Sequence, residues 1–308
     1  MRKFTRPLRH YIGFCLVHCI VGAAKRLPVR VLHAMAIPLG YVGYVILSKE
    51  RNRAIHNLSR FYPRATPRQI RRMTRRVFRN LLIAFLDAVR LPELTDREFH
   101  QWIEFDETVL QNAYRKGRGV IVLSGHLSAF ELQSQIAQSF SYQNITVGST
   151  LFDPRVETII QEIRSRRGVH YIPRKNSLGK IIKALKNGAV FGVLIDQDTT
   201  KEGVFVPFLG QPAFTPTTSI KLAVKYDIPI IYVATYRDTT GKYHIVSHPC
   251  EIPATGDSVQ DIYNIAKDFN QFYSSYIEQY PEQWVWIHDR WKRTPPSPPE
   301  TKGKHHEN

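Results

Sequence analysis

Residues 119–133 read GVIVLSGHLSAFELQ, and the reading of this stretch decides the fold. Positions 120–123 are four consecutive β-formers, a length and composition that suit a strand buried on both faces. The strand stops at Ser124-Gly125 and His126 stands at its exit. Ser128 to Glu131 carries the Ser-x-x-Glu pattern of a capping box that starts a helix. An imidazole is thereby delivered to the carboxyl end of a strand, where open α/β sheets bind their ligands.

The His-x4-Glu spacing has a use in that setting. An imidazole in the turn and a carboxylate in the first helical turn can approach across the corner, whereas in a continuous helix positions five apart point about 140° apart. The work proposed for His126 and Glu131 is general-base catalysis. A neutral imidazole takes a proton from an attacking hydroxyl, and the carboxylate fixes its tautomer and stabilises the imidazolium. A helix N-terminus favours an ionised Glu131 and disfavours a charged resting His126. The alternative leaves Glu131 as a cap and His126 as a turn residue.

The chain has 308 residues, 43% of them hydrophobic, enough for one large domain with appendages. Cys15, Cys19 and Cys250 cannot make a disulfide framework and lack metal-ligand spacing, which suits a reducing compartment. A net charge of +17 calls for anionic partners: nucleic acid, acidic headgroups, a phosphorylated substrate or an acidic carrier protein. No nucleic-acid reader motif is present, which weighs against the first.

Residues 1–10 are basic and 11–24 apolar, a run shorter than the roughly 20 residues of a straight span. Lys25-Arg26 follow with no small-x-small cleavage site. A second apolar run, 31–47, contains His33 and Pro38. Residues 1–50 are read as a membrane anchor, either one short span or a hairpin in one leaflet, and basic residues on both sides leave its topology open. Thr66, Pro67 and Gln69 then start a helix with a capping box. On it Arg68, Arg71, Arg72, Arg75, Arg76 and Arg79 form one stripe opposite Ile70, Met73, Val77 and Leu81. Uninterrupted like charge destabilises a helix that lacks an anionic partner, so the stripe is assigned to headgroups, a solvated face being the alternative.

Beyond residue 119 the pattern alternates as an α/β domain should. Strands are expected near 145–148, 169–172, 190–195, 229–235 and 243–247, and helices near 131–140, 154–166, 178–186, 217–225 and 262–279. The expected fold is α/β: a mixed, mostly parallel sheet flanked by helices over residues 51–293, after an N-terminal membrane-anchoring helical segment. Residues 294–308, rich in proline and charge, are expected to be disordered. No Gly-x-Ser-x-Gly elbow occurs, which favours direct attack of a substrate hydroxyl over an acyl-enzyme.

Gly125-His126 with Phe130-Glu131 resembles the His-x4-acid motif of the glycerolipid acyltransferase superfamily, specifically its lipid A late acyltransferase branch. Leu194-Ile195-Asp196-Gln197, Val206-Pro207-Phe208-Leu209-Gly210 and the segment PEQWVWIHDRW at 281–291 extend the match, in order, over roughly residues 51–292. Ser128-Ala129-Phe130 departs from the Gly-Asn-Trp frequent in the branch, and Leu209 from its second Phe. The resemblance implies transfer of a fatty acyl chain from an acyl carrier protein thioester to a hydroxyl of a phosphorylated glucosamine lipid, a lipid A precursor. The place implied is the cytoplasmic face of a bacterial inner membrane, with no cofactor and no metal. It makes His126 and Glu131 the catalytic pair and gives Arg164, with Arg167, the lipid's phosphate or the reacting oxyanion. Read on their own, Arg164, Arg166 and Arg167 are cations closing a helix that Gly168 ends. Asp196 and Gln197 would order the site or bind sugar hydroxyls, and Phe208 and Gly210 complete the substrate-binding set. Two rivals stand beside this reading. One is coenzyme A-dependent acylation of another glycolipid or phospholipid; the other is a noncatalytic basic protein that binds membrane or nucleic acid, with His126 and Glu131 structural.

Overall fold

The computed structural model describes residues 5–134, 142–148, 154–165, 168–173, 176–199, 202–253 and 255–295. The run at 120–123 forms the strand expected of it. The strands are β1 (Ile103–Phe105), β2 (Val120–Ser124), β3 (Asn144–Gly148), β4 (Val169–Pro173), β5 (Val190–Leu194), β6 (Gly203–Phe208), β7 (Gln211–Pro216), β8 (Ile230–Arg237) and β9 (Tyr243–Cys250). Seven make one sheet in the order β1-β9-β8-β2-β5-β3-β4, and β6 and β7 form a separate hairpin. Strands β8, β2, β5, β3 and β4 run parallel; β9 is antiparallel to β8, and β1 follows β9.

The helices are α1 (Thr5–Arg26), α2 (Val29–Ile46), α3 (Ser48–Phe61), α4 (Pro67–Arg90), α5 (Asp96–Trp102), α6 (Thr108–Tyr114), α7 (Pro154–Ser165), α8 (Leu178–Lys186), α9 (Thr218–Tyr226) and α10 (Ser258–Gln279). β2 is covered on both faces, which explains its unbroken apolar sequence. Ile121 and Leu123 belong to a core with Ile181, Leu185, Ile220 and Phe269, whereas Val120 packs with Phe99, Leu110, Ile231 and Val233. β3 stays paired with β5 only as far as Thr146 and Gly192, yet follows β4 to Gly148 and Pro173. The sheet therefore splits at its carboxyl end beside β5.

The N-terminal helices pack on the rest of the chain. Val29, Leu32, Ala36, Gly40 and Tyr44, spaced by three and four, are the buried face of α2. Leu32 and Ala36 meet Ile83, Leu86 and Val89 of α4. His33, the polar interruption in this run, bonds through Nε2 to the buried carboxylate of Asp87 at 2.8 and 2.9 Å, and Tyr243 donates to the same carboxylate at 2.5 Å. The other side of α2 exposes Val31, Met35, Ile37, Tyr41, Val45 and Ile46. Among the described residues, α2 is the one helix long and apolar enough to cross a membrane. At α4 the capping box forms: Gln69 N–H donates to Thr66 Oγ1 at 3.3 Å, and Thr66 N–H to Gln69 Oε1 at 2.7 Å. Of the arginine stripe, Arg68, Arg71, Arg72 and Arg75 are exposed, and Arg76 and Arg79 are half-buried.

Some sequence expectations need correction. The capping box at 128–131 does not form, because Ser128 adopts the left-handed region at φ 53° and its N–H goes to the carbonyl of Gln283 at 2.9 Å. Ala129 precedes the turn and provides no side-chain cap. The chain makes a 3-10 turn at Phe130–Leu132; most of the helix expected at 131–140 lies outside the described residues, as does the tail from residue 296. Helices α3, α5 and α6, strand β1 and the β6–β7 hairpin were not anticipated. Trp284 and Trp286 are both fully buried.

Candidate active site

Three segments distant in sequence meet at the split end of the sheet. The β2 exit brings His126, the β5 exit brings Asp196, and the segment after α10 brings Trp284. Leu127 forms an antiparallel bridge with Trp284, which seats the turn on the C-terminal segment. The fully buried Asp196 carboxylate accepts from His126 N–H at 2.8 Å and Trp284 Nε1 at 2.9 Å, and lies 2.7 Å from His126 Nδ1. A carboxylate only accepts, so Nδ1 carries the hydrogen and, in the neutral imidazole, Nε2 is the atom with the lone pair. Burial would raise the Asp196 carboxyl; the adjacent His126 and the hydrogen bonds from His126 and Trp284 outweigh it and hold Asp196 below the ordinary carboxylate range.

The turn needs glycine at position 125. A Cβ there would lie 2.6 Å from Asp196 Cγ and 2.6 Å from the Tyr273 ring, both fully buried. Tyr273, from α10, accepts the N–H of Leu127 on its hydroxyl at 2.8 Å. Burial and the Asp196 charge push that hydroxyl well above its ordinary range, so it stays neutral. Ser124 donates to the carbonyl of Val233 at 2.7 Å and plays no visible part as a nucleophile. Phe130 stands edge-on to the imidazole, ring centres 4.8 Å apart.

A cavity of about 590 Å³ opens here, with His126, Glu131 and Gln197 among the polar residues that line it. Val122, Val193, Leu194, Ile181 and Leu222 are among the apolar residues along it, and Gly192 lines it where β3 departs from β5. The side chain that tethers Nδ1 is thus Asp196, the tautomer-fixing task that the spacing alone suggested for Glu131. Glu131 shares the cavity wall with the imidazole.

The remaining candidates fall in different places. Phe208 is buried, its ring 5.4 Å from Trp284 and 6.1 Å from Trp291, with the Arg290 guanidinium 4.7 Å above it. Leu209 and Gly210, both at positive φ, make the two-residue turn between β6 and β7, a geometry that favours glycine. Phe208 and Gly210 do not line the cavity among the described residues. Arg164 is in the last turn of α7, whose Glu157 and Ile160 do line it; its side chain, and Arg167 altogether, lie outside the described residues. Fully buried Arg290 donates to Phe214 O at 2.5 Å and Thr215 Oγ1 at 2.8 Å, tying the C-terminal segment to β7.

Sequence reasoning missed Tyr273, the tether from Trp284, and His288. Burial lowers His288 to about 4, so it is neutral near pH 7, and it lies within electrostatic reach of Asp196 and His126. A tyrosine among the core positions of α10 was the signal available for Tyr273, since a buried hydroxyl needs a partner.

Similarity to known proteins identifies the family. The sequence profile of the bacterial lipid A biosynthesis acyltransferase family matches residues 1–293. The chain is 25% identical over 312 residues to the lipid A biosynthesis lauroyltransferase of Escherichia coli K12, covering 96% of this chain and 97% of that one. It is 22% identical over 302 residues to the lipid A biosynthesis palmitoleoyltransferase of the same organism, covering 96% and 95%. A lipid A biosynthesis acyltransferase of Haemophilus influenzae is 23% identical over 242 residues, covering 78% and 74%. With its motifs in order and the match running nearly end to end, the chain belongs to the bacterial lipid A biosynthesis acyltransferases.

Proposed function

We propose that this acyltransferase moves a fatty acyl chain from an acyl carrier protein thioester to a hydroxyl of a phosphorylated glucosamine lipid, with His126 as general base. The observation that carries the reading is the tether of Nδ1 to buried Asp196, which leaves Nε2 as the basic atom beside an apolar cavity. The acceptor hydroxyl gives its proton to Nε2 as its oxygen attacks the thioester carbonyl. The tetrahedral intermediate collapses, the C–S bond breaks, and the imidazolium returns the proton to the departing thiolate. Asp196 stabilises the imidazolium. Glu131, on the same wall, adds negative charge that favours it and orients the incoming hydroxyl, while Gln197 meets a sugar hydroxyl. Arg164 and Arg167 are assigned to the phosphate or the oxyanion, and Phe208 and Gly210 shape the hairpin behind the site.

The donor is tested by supplying purified protein with a lipid A precursor and either an acyl carrier protein thioester or the coenzyme A thioester of the same chain. Mass analysis should show one ester added, faster from the carrier protein. Equal or faster transfer from coenzyme A would overturn that donor.

The cavity is proposed to hold the acyl chain. A Cβ at Gly192 would meet nothing within 4 Å, and its φ is unexceptional, so a larger residue enters the cavity without backbone strain. Gly192→Leu should shift the preferred donor toward shorter chains by roughly two to four carbons, since the added atoms displace about as many methylenes. An unchanged chain-length profile would place the acyl group elsewhere.

Membrane attachment is proposed through the exposed face of α2, with the exposed arginines of α4 adding attraction to anionic headgroups. The face predicts resistance to salt. About 1 M salt should leave the protein with membranes, because it screens charge and not apolar contact. Ile37→Glu with Val45→Glu should release it. Release of the unaltered protein by salt alone would make the attachment electrostatic. The proposed location is the cytoplasmic face of a bacterial inner membrane, where a carrier-protein thioester would be met.

A further inference from the structure

The 282–284 segment that carries Trp284 also borders a group of three guanidiniums, Arg76, Arg79 and Arg237. Arg79 Nη2 and Arg237 Nη2 both donate to Oδ1 of Asn80, at 3.5 and 3.3 Å. Arg76 Nη1 pairs with Glu282 Oε1 at 2.5 Å, and Asn80 Nδ2 donates to the Glu282 backbone carbonyl at 3.0 Å. Arg237 is fixed through its backbone, which gives a hydrogen bond to the Gln283 side chain at 2.8 Å and takes one at 2.7 Å. Within this cluster one carboxylate faces three guanidiniums. Two cations sharing a single neutral acceptor repel one another, and half-burial strengthens the repulsion. Burial and the neighbouring Arg237 and Arg76 lower Arg79, with Glu282 opposing them. Nε of Arg79 is buried and has no hydrogen-bond partner among the described residues. Convergent guanidinium forks with spare donors match the oxygens of a phosphate.

Position adds to chemistry. A Cβ on Gly40 would lie 2.8 Å from Arg79 Cα, so α2 approaches α4 closely at this residue. Arg79 therefore stands beside the helix whose outer face exposes Ile37 and Tyr41. Gln283 and Trp284 connect the cluster to the site: Gln283 holds Arg237, and the next residue holds Asp196.

We propose that Arg76, Arg79 and Arg237 form a phosphate-binding subsite for a lipid-borne phosphate; it rests on the reading of the chain as an acyltransferase acting on an anionic lipid. The phosphate could belong to the acceptor or to a bulk headgroup, and the experiment separates the two. Full-length Arg79→Gln, Arg237→Gln and the charge-retaining Arg237→Lys are compared with a control, Arg118→Gln, at the amino end of β2. Melting temperatures within about 3 °C of the parent confirm folding. If the acceptor's phosphate binds here, KM for the phosphorylated acceptor rises about tenfold or more with kcat within about threefold. KM for the dephosphorylated acceptor stays put. If bulk headgroups bind here, KM is unmoved, and retention on vesicles with about 30% phosphatidylglycerol falls while retention on neutral phosphatidylcholine does not. Arg237→Lys should fall between parent and Gln, keeping the charge and losing the fork; it remains informative if the Gln variants fail to fold. No change in either readout, or an equal effect of Arg118→Gln, overturns the subsite. A parent protein with no acyl transfer would sink the proposed function, and the vesicle measurement would still judge the subsite.

Discussion

His126→Ala should slow acyl transfer by about 10²- to 10⁴-fold, the usual worth of a positioned general base. The side chain is only partly buried and, among the described residues, its ring bonds to Asp196 and stands against Phe130, so the fold should survive. Its backbone N–H still reaches Asp196 after the substitution, which keeps the turn in place. Initial rates with donor and acceptor both saturating, alongside a melting curve, check this. Near-normal turnover in a folded variant would remove His126 from the chemistry.

The second large effect is expected of Asp196→Asn. The carboxylate serves three donors: His126 N–H, His126 Nδ1–H and Trp284 Nε1–H. An asparagine offers one acceptor oxygen and turns an NH₂ toward donors. Either a backbone N–H and the indole lose their partner, or the imidazole moves its hydrogen to Nε2 and ceases to be a base toward the cavity. The imidazolium also loses its counter-charge. Turnover should fall about 10²-fold or more, and stability by about 2 kcal/mol for buried donors left unsatisfied. The double variant with His126→Ala should be no slower than His126→Ala alone, since the two act as a unit. Additive losses would assign Asp196 a separate task. The pH dependence has a definite sign. A carboxyl depressed in the folded state contributes stability that is present above its unfolded value near about 4 and is lost as pH falls through the folded value. Acidification below about pH 4 should therefore destabilise the parent more than Asp196→Asn.

What was legible in the sequence was what local rules decide. A strand buried on both faces must be apolar throughout, and 120–123 said so. The helix at 178–186 was bounded by its own periodicity and matches α8 at both ends. Thr66-x-x-Gln69 and Ser128-x-x-Glu131 show the limit. Both carry the capping pattern, and only the first makes the cap. Thr66 is exposed and free to follow local preference. The N–H of Ser128 is claimed by Gln283, and Leu127 is bridged to Trp284, contacts more than 150 residues away in sequence that override the local pattern. The β6–β7 hairpin escaped notice for another reason. Pro207 and Pro212 sit directly opposite each other in it, and proline inside a run argues against a strand. A two-stranded hairpin tolerates them because its unpaired edges need no donor at those positions. The partner of His126 was hidden in the same way as that of Ser128: Asp196 stood out as an acid at a strand end, and only the pairing of β2 with β5 in register sets it beside the imidazole.

The central claim is that His126, held by Asp196, transfers the acyl chain directly from thioester to hydroxyl. A single-turnover experiment addresses it: protein in excess is mixed with an isotopically labelled acyl carrier protein thioester and the glycolipid acceptor, then quenched at intervals. Intact masses of protein and lipid are read from the same samples. The account predicts that the label passes to the lipid with no acylated protein at any time, and that His126→Ala forms no ester over the same interval. Acylated protein that forms before the ester and decays into it, or ester formed by His126→Ala at the parental rate, would contradict the account.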